Sequence, residues 1–341
     1  MSSILLIGPL TNKNTPSLSG GAVVLFENLL EQIIKQNIKY SVIDTNKKNY
    51  SNIIVAYLSI ICQIFIKQFN TNHISLHSSR DYIVFAPFIL LFCKIFNKKC
   101  SLRKFGGEAF EHFSNASGIK KIILNYIFKN IDYLFLEMKY LVSSFKPVNN
   151  NTFWFPNVRN ENNIINKERK YSKKFIFISQ VKYEKGIDEI INAFQVLDIN
   201  YSIDIYGPIV DKRYSQNTFE DFKNINYRGA LNADKVLPIL NDYDVLILPT
   251  FYDGEGYPGI IIEGYSVGKP VISTNWKGIV EIVENNKTGL LIEPKNTEEL
   301  ISSIKYFTID NYPEFSKNAK EKFKEFNSEY QTEVFFKIIG F

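Results

Sequence analysis

The sequence predicts an α/β protein built from two doubly wound, parallel-sheet domains. Three observations carry that prediction. Short apolar runs alternate with longer helical stretches, the pattern of βαβ units. The alternation pauses near residue 156 and begins again near residue 175. A chain of 341 residues, 45% of them apolar, is long enough for about two cores.

In chain order, Ile4–Ile7 reads as the first buried strand, and Gly20-Gly21 opens a helix running to about Gln36. Tyr40–Asp44 and Ile74–His77 are the next strands, the latter followed by a helix from about Arg80. Lys99–Lys104 is a strand ending at Gly106-Gly107, and Tyr133–Glu137 is another. Phe153-Trp-Phe-Pro156-Asn157 marks the passage between domains. The second half supplies strands at Phe175–Ser179, Ser202–Tyr206, Asn226–Tyr227, Val245–Pro249 and Val271–Thr274. From about Pro313 the chain is charged and helical, ending in Val334-Phe-Phe-Lys-Ile-Ile339.

Composition narrows the function classes. Cys62, Cys93 and Cys100 show no metal spacing, which fits a reduced, cytoplasmic protein. The first residues lack the charged region and cleavage site of a signal peptide. The apolar runs Ile53 to Ile66 and Tyr82 to Phe96 are shorter than the roughly 20 residues of a membrane span, so buried or interfacial helices are expected. Residues 1–160 carry 18 Lys and Arg against 8 Asp and Glu, whereas residues 161–341 carry 22 against 27. A basic first half suits either a solvated face or peripheral contact with an anionic membrane. No helix-turn-helix, RNP or zinc pattern accompanies the charge, so nucleic acid is not an expected partner.

The most informative segment is Phe251-Tyr-Asp-Gly-Glu255-Gly-Tyr-Pro-Gly-Ile-Ile-Ile-Glu263. It follows the apolar run Asp244-Val-Leu-Ile-Leu-Pro249, a buried parallel strand. Pro258 suits the first helical position, and Gly268 followed by Pro270 is a helix stop. The segment is therefore a glycine loop at the carboxyl end of a strand, where open α/β sheets bind ligands. The N–H groups of Gly256, Tyr257 and Gly259 at the helix start suit an anion. Glu255 and Glu263 repel an anion but accept hydrogen bonds from hydroxyls. An anion between two hydroxyl-rich groups describes a nucleotide-sugar. A glycosidase pair places its carboxyls about 5–9.5 Å apart. Eight helical residues span about 12 Å, which fits two ends of one ligand better.

This segment resembles the E-x7-E signature of retaining glycosyltransferases of the family-4 type, which have the two-domain GT-B fold with a central cleft. Gly254, Gly256, Pro258, Gly268, Pro270, Glu281 and Gly289-Leu-Leu-Ile-Glu-Pro294 strengthen the match. The resemblance implies that Glu255 faces the donor sugar and Glu263 holds the ribose hydroxyls. It implies an acceptor-side domain at 1–158, a donor-binding domain at 159–312, and a final segment, 313–341, crossing back to the first domain. Ser179-Gln-Val-Lys-Tyr-Glu-Lys185-Gly186 is similar to the family's Gly-Arg-Leu-x-x-x-Lys-Gly loop, so Lys185 matches the lysine that grips the donor diphosphate. Gln180 stands where the family has arginine, and Lys182 is the nearby cation that would compensate. Gly20-Gly21 resembles the first-domain glycine loop that faces the diphosphate. Arg228, in Tyr227-Arg228-Gly229, falls where the family places the nucleotide base, and an arginine there can stack on it.

On the acceptor side, Arg103-Lys-Phe-Gly106-Gly107-Glu108 resembles a pattern of capsule-type relatives, making Arg103 and Glu108 candidates. His77, at a strand end, is another, and His112 is a catalytic candidate. His73 and His77, four apart, flank a strand and are not read as a metal pair. Asp242-Tyr-Asp244 opens a buried strand, and a capping role is expected there. The implied reaction is front-face transfer from a UDP- or GDP-sugar to a glycan or lipid-linked acceptor, in a cell-surface polysaccharide pathway. The departing phosphate takes the acceptor's proton, so no dedicated base is expected, and no metal is expected where protein cations offset the phosphate charge. Two alternatives stay open at this level: a non-catalytic GT-B partner subunit, which Gln180 favours, and a nucleotide-sugar epimerase.

Overall fold

Each apolar run becomes a strand because both faces of a parallel sheet are covered by helices. The computed structural model describes residues 3–14, 20–162 and 170–341. It divides into two compact units, Met1–Asn160 with Ser328–Phe341, and Glu161–Asn327.

The first unit holds β1 (Ser3–Gly8), β2 (Lys39–Asp44), β3 (His73–Ser78), β4 (Lys99–Lys104), β5 (Tyr133–Leu136) and β6 (Thr152–Trp154). They form one sheet in the order β2-β1-β3-β4-β5-β6. Every neighbouring pair is parallel. The second unit holds β7 (Lys174–Ile178), β8 (Ser202–Tyr206), β9 (Ile225–Gly229), β10 (Val245–Leu248), β11 (Val271–Thr274) and β12 (Gly289–Ile292). Their order is β12-β11-β10-β7-β8-β9, again all parallel. Strands β6 and β12 were not expected from the sequence.

Both orders reverse at one place. In the first sheet the chain steps one way from β1 and the other way from β3. In the second it steps one way from β7 and the other way from β10. Such switch points leave a crevice at the carboxyl ends of the two strands, because the flanking connections diverge.

The helix Gly21–Lys35 buries Leu25, Phe26, Leu29 and Ile33 on the first sheet. Ile4 and Leu6 of β1 meet this face, together with Phe335, Phe336 and Ile339 of the helix Ser328–Ile339. Each such side chain contributes about 1.5–3 kcal/mol by leaving water. The crossing segment expected at 313–341 is shorter than that. The helix Tyr312–Lys322 belongs to the second unit, where Ser316 Oγ donates to Gly268 O at 2.6 Å and Lys320 donates to Ser266 O.

The apolar run from Ile53 is longer than expected. Its helix and terminal turn span Ile53–Asn70, 18 residues at mean hydropathy 1.6, enough by length and composition to cross a membrane. Its two ends lead into β2 and β3, which flank β1 in one sheet.

Candidate active site

Lys185 and Glu255 flank the switch point of the second sheet. Lys185 lies in the turn after β7, and Glu255 in the loop after β10, its neighbour. Lys185 Nζ donates to Glu255 Oε2. The Thr250 hydroxyl donates to the same oxygen at 3.0 Å. Both charged side chains are about nine-tenths buried. The sequence set the lysine on the diphosphate and the acid on the sugar; the fold holds the two against each other.

Local geometry fixes both partners. Gly186 has φ +77°, and an added Cβ would stand 2.3 Å from Pro249 O, so only glycine lets the β7 turn pass β10 this closely. Phe251 N–H donates to Glu184 O at 2.8 Å, and Thr250 Oγ1 lies 3.1 Å from the same carbonyl, sharing its one proton between it and Glu255, which ties the two loops. The Thr274 hydroxyl, at the end of β11, donates to Thr250 O. Farther out, Trp276 Nε1 donates to Tyr252 O at 3.0 Å and Lys277 donates to Asp253 O.

The helix Gly259–Ser266 follows, with Pro258 as its cap rather than its first residue. Ile261 N–H donates to Pro258 O at 3.1 Å, which leaves the earliest amides outside the helical ladder. The helix ends as expected. Gly268 has φ +67°, its N–H reaches Tyr265 O at 3.0 Å, and Lys269 N–H reaches Gly264 O at 2.8 Å, a Schellman motif. Glu263 is half-buried on this helix. Tyr257 is buried, and its hydroxyl donates to the Glu281 carboxylate. Gly256 is half-buried in the loop.

Gln180 is exposed in the loop after β7. Lys182 Nζ lies 3.5 Å from the centre of the Tyr252 ring. Arg228 is on the edge strand β9, where its Nε donates to Asp204 Oδ2 at 2.8 Å and half of the side chain is exposed. It lines a cavity of about 600 Å³ with Phe219 and Tyr227, whose rings stack at 5.5 Å. Asp244 caps as expected: its Oδ2 accepts from Ser172 N, Ser172 Oγ and Lys174 N, each at 2.9 Å.

In the first unit a cavity of about 490 Å³ sits at the β1/β3 switch point, lined by Gly20, Lys47, Lys48, His77, Arg80 and others. Among the described residues no atom lies within 4 Å of a Cβ added at Gly20 or Gly21, so packing gives no reason for glycine there. His77 is fully buried between Phe26 and Phe105, and its Nε2 pairs with Ser75 Oγ at 2.9 Å. Burial, with Arg103 and His73 nearby, holds its pKa well below 6.5. His73 lies on the same strand, paired with Ser101 Oγ at 2.9 Å, and burial lowers its pKa to about 4.

Arg103 departs furthest from expectation. It is 1% exposed and packs face-on against Phe155, 3.5 Å from the ring centre. Its Nη2 donates to Pro156 O at 2.7 Å, so it braces the Phe-Pro-Asn passage and offers no open face to an acceptor. Burial lowers its pKa to about 9, which leaves it charged at neutral pH. Glu108 and His112 pair with each other at 3.4 Å on the surface. His112 lines a separate cavity of about 360 Å³ with Arg80 and Lys120. Sequence reasoning missed Thr250 and Tyr252. The position of Thr250, two residues past the strand that feeds the glutamate loop, was the available signal.

Residues 158–326 match the family Glycosyl transferases group 1. That segment belongs to the family. This group 1 glycosyl transferase is similar to an uncharacterized glycosyltransferase of Methanocaldococcus jannaschii, 29% identical over 175 residues, or 50% of this chain and 49% of that one. It is 23% identical over 149 residues to the capsular polysaccharide biosynthesis glycosyltransferase CapM of Staphylococcus aureus, covering 40% and 38%. The matched segment thus spans about half or less of these curated relatives. Anabaena HepE, solved in complex with UDP, superposes over 99% of both chains with TM-score 0.73 at 13% identity. HepE with UDP-glucose gives TM-score 0.69. That likeness establishes the GT-B fold of two Rossmann-like domains.

Proposed function

We propose that this group 1 glycosyl transferase is a retaining enzyme of the family-4 type, moving a sugar from a UDP- or GDP-sugar to a glycan or lipid-linked acceptor. The paired Lys185 and Glu255 at the switch point of the second sheet carry this reading. An isolated buried charge is costly, and each of the two compensates the other until a ligand arrives. A donor diphosphate entering beside the helix start at Gly259 competes with Glu255 for the Lys185 ammonium. The acid is then released toward the sugar hydroxyls while the lysine meets the phosphate. As the leaving phosphate gains charge, a preorganised cation and helix amides stabilise it more than they stabilise the ground state. Glu263, eight residues on, is the ribose acceptor in this reading. The acceptor's proton passes to the departing phosphate, and protein cations take the place of a metal.

UDP in HepE supports the donor class, and the role of CapM in capsular polysaccharide biosynthesis supports a cell-surface polysaccharide setting. Incubation with a panel of UDP- and GDP-sugars and acceptor extracts, followed by NMR of the product, tests the reading. Transfer with the donor's anomeric configuration kept is the expected result. Inversion would reject the retaining mechanism, and binding without turnover would identify a non-catalytic subunit.

A further inference from the structure

We infer that one helical layer of the first unit docks on an anionic lipid bilayer. The connections β2 to β3, β3 to β4 and β4 to β5 all step the same way, so their right-handed crossovers stack helices on one sheet face. Those helices are Ile53–Lys67, Tyr82–Ile95 and Gly118–Asn130. Ring contacts join the first two, Phe65 to Phe92 at 5.4 Å and Phe69 to Phe96 at 5.0 Å. Tyr82 meets Phe128 at 5.8 Å and joins the second to the third.

A helix covering a sheet normally turns polar side chains outward. These do the reverse. Ile54, Leu58, Phe65 and Phe69 follow one outward stripe of the first helix and its terminal turn; Ile54 is 68% and Leu58 60% exposed. Val84, Phe88, Leu91 and Ile95 repeat the spacing on the second helix, and Ile119, Ile122 and Tyr126 on the third. Contiguous apolar surface of this kind marks an interaction face.

The charges select the occupant. None of the three helices contains Asp or Glu, while Lys94, Lys120 and Lys129 lie among them; Lys67 and Lys121 turn inward to the carbonyls of Val42 and Phe113. A second copy of the same face would set lysine against lysine. A bilayer satisfies both features, taking the apolar stripes at the acyl boundary and the ammonium groups at anionic headgroups. The helix from Ile53 is apolar enough to span, but its ends are fixed to β2 and β3 of one sheet, so it lies in the interface plane. Docking is independent of the donor chemistry, because vesicle binding is read without any sugar.

The test is co-sedimentation of the full chain with mixed phosphatidylglycerol–phosphatidylcholine vesicles and with phosphatidylcholine alone. Binding to the anionic vesicles, weakened by salt, is expected. The double variant Leu58→Glu/Leu91→Glu should bind about tenfold more weakly or worse, since it sets two charges in the apolar contact. Val196→Glu, at an exposed site of the second unit, should bind as the parent does. Cys62 is exposed while Cys93 and Cys100 are buried. An environment-sensitive thiol dye on Cys62 of the otherwise unaltered protein should therefore shift blue on vesicle addition. Failure to sediment, a dye that does not shift, or equal binding by the double variant would each overturn the inference. So would a vesicle-independent dimer abolished by Leu58→Glu/Leu91→Glu, which would make the face a protein interface.

Discussion

Lys185 and Glu255, 70 residues apart in sequence, share one ion pair between the loops that follow β7 and β10, and Thr250 donates to the same carboxylate. Each is a buried charge that the other neutralises. Glu255→Gln or Lys185→Met should therefore destabilise the second unit by about 3 kcal/mol. The double variant Lys185→Met/Glu255→Gln should recover a large part of that loss. Thermal melts followed by circular dichroism decide it. Additive losses in the double variant would show that the pair is not coupled.

Glu263→Ala should weaken UDP binding about tenfold, the scale of one hydrogen bond to a charged acceptor. Calorimetric titration of UDP is the measurement. Unchanged affinity would remove Glu263 from the ribose.

Gly186→Ala forces a Cβ to 2.3 Å from Pro249 O at φ +77°. Backbone, not a flexible side chain, receives the clash. A loss of about 2 kcal/mol or more in stability, with weaker donor binding because Lys185 moves, is expected. A variant as stable as the parent would show that the β7 and β10 loops are not held this tightly.

Stability of the first unit should fall with acid before its carboxylates protonate. His73 has a folded pKa of about 4 against 6.5 for the ordinary group, because burial disfavours its charged form. The unfolded chain therefore binds the extra proton between about pH 6.5 and 4, and stability falls as pH drops through that window. The full effect approaches about 3 kcal/mol. Urea unfolding at pH 7.0 and 5.0, compared with His73→Gln, measures it. An equal pH response in the variant would assign the change to other groups.

The strands of both sheets were largely legible because each is a short apolar run beside a turn residue. Strand β6, Thr152–Trp154, escaped because three residues carry no periodicity, and β12 escaped because Gly289 opens it. The glutamate loop was legible because its glycines, proline and helix stop are local. The pairing of Lys185 with Glu255 was not, since it depends on β7 and β10 being neighbours, a property of topology. Arg103 misled for a related reason. A cation at a strand end reads as exposed, and the Phe155 ring and the Pro156 carbonyl that help make its burial tolerable lie more than 50 residues away. The helix from Ile53 read as too short because Lys67 ends the apolar run, although the backbone continues to Asn70.

Titrating UDP-sugars and GDP-sugars into the parent and into Lys185→Met by calorimetry tests the proposed donor site most directly. One of these donors should bind the parent, and the variant should lose about tenfold or more in affinity, the scale of one charge-assisted phosphate contact. No binding of any such donor, or equal affinity in the two proteins, would contradict a nucleotide-sugar held at the β7/β10 switch point.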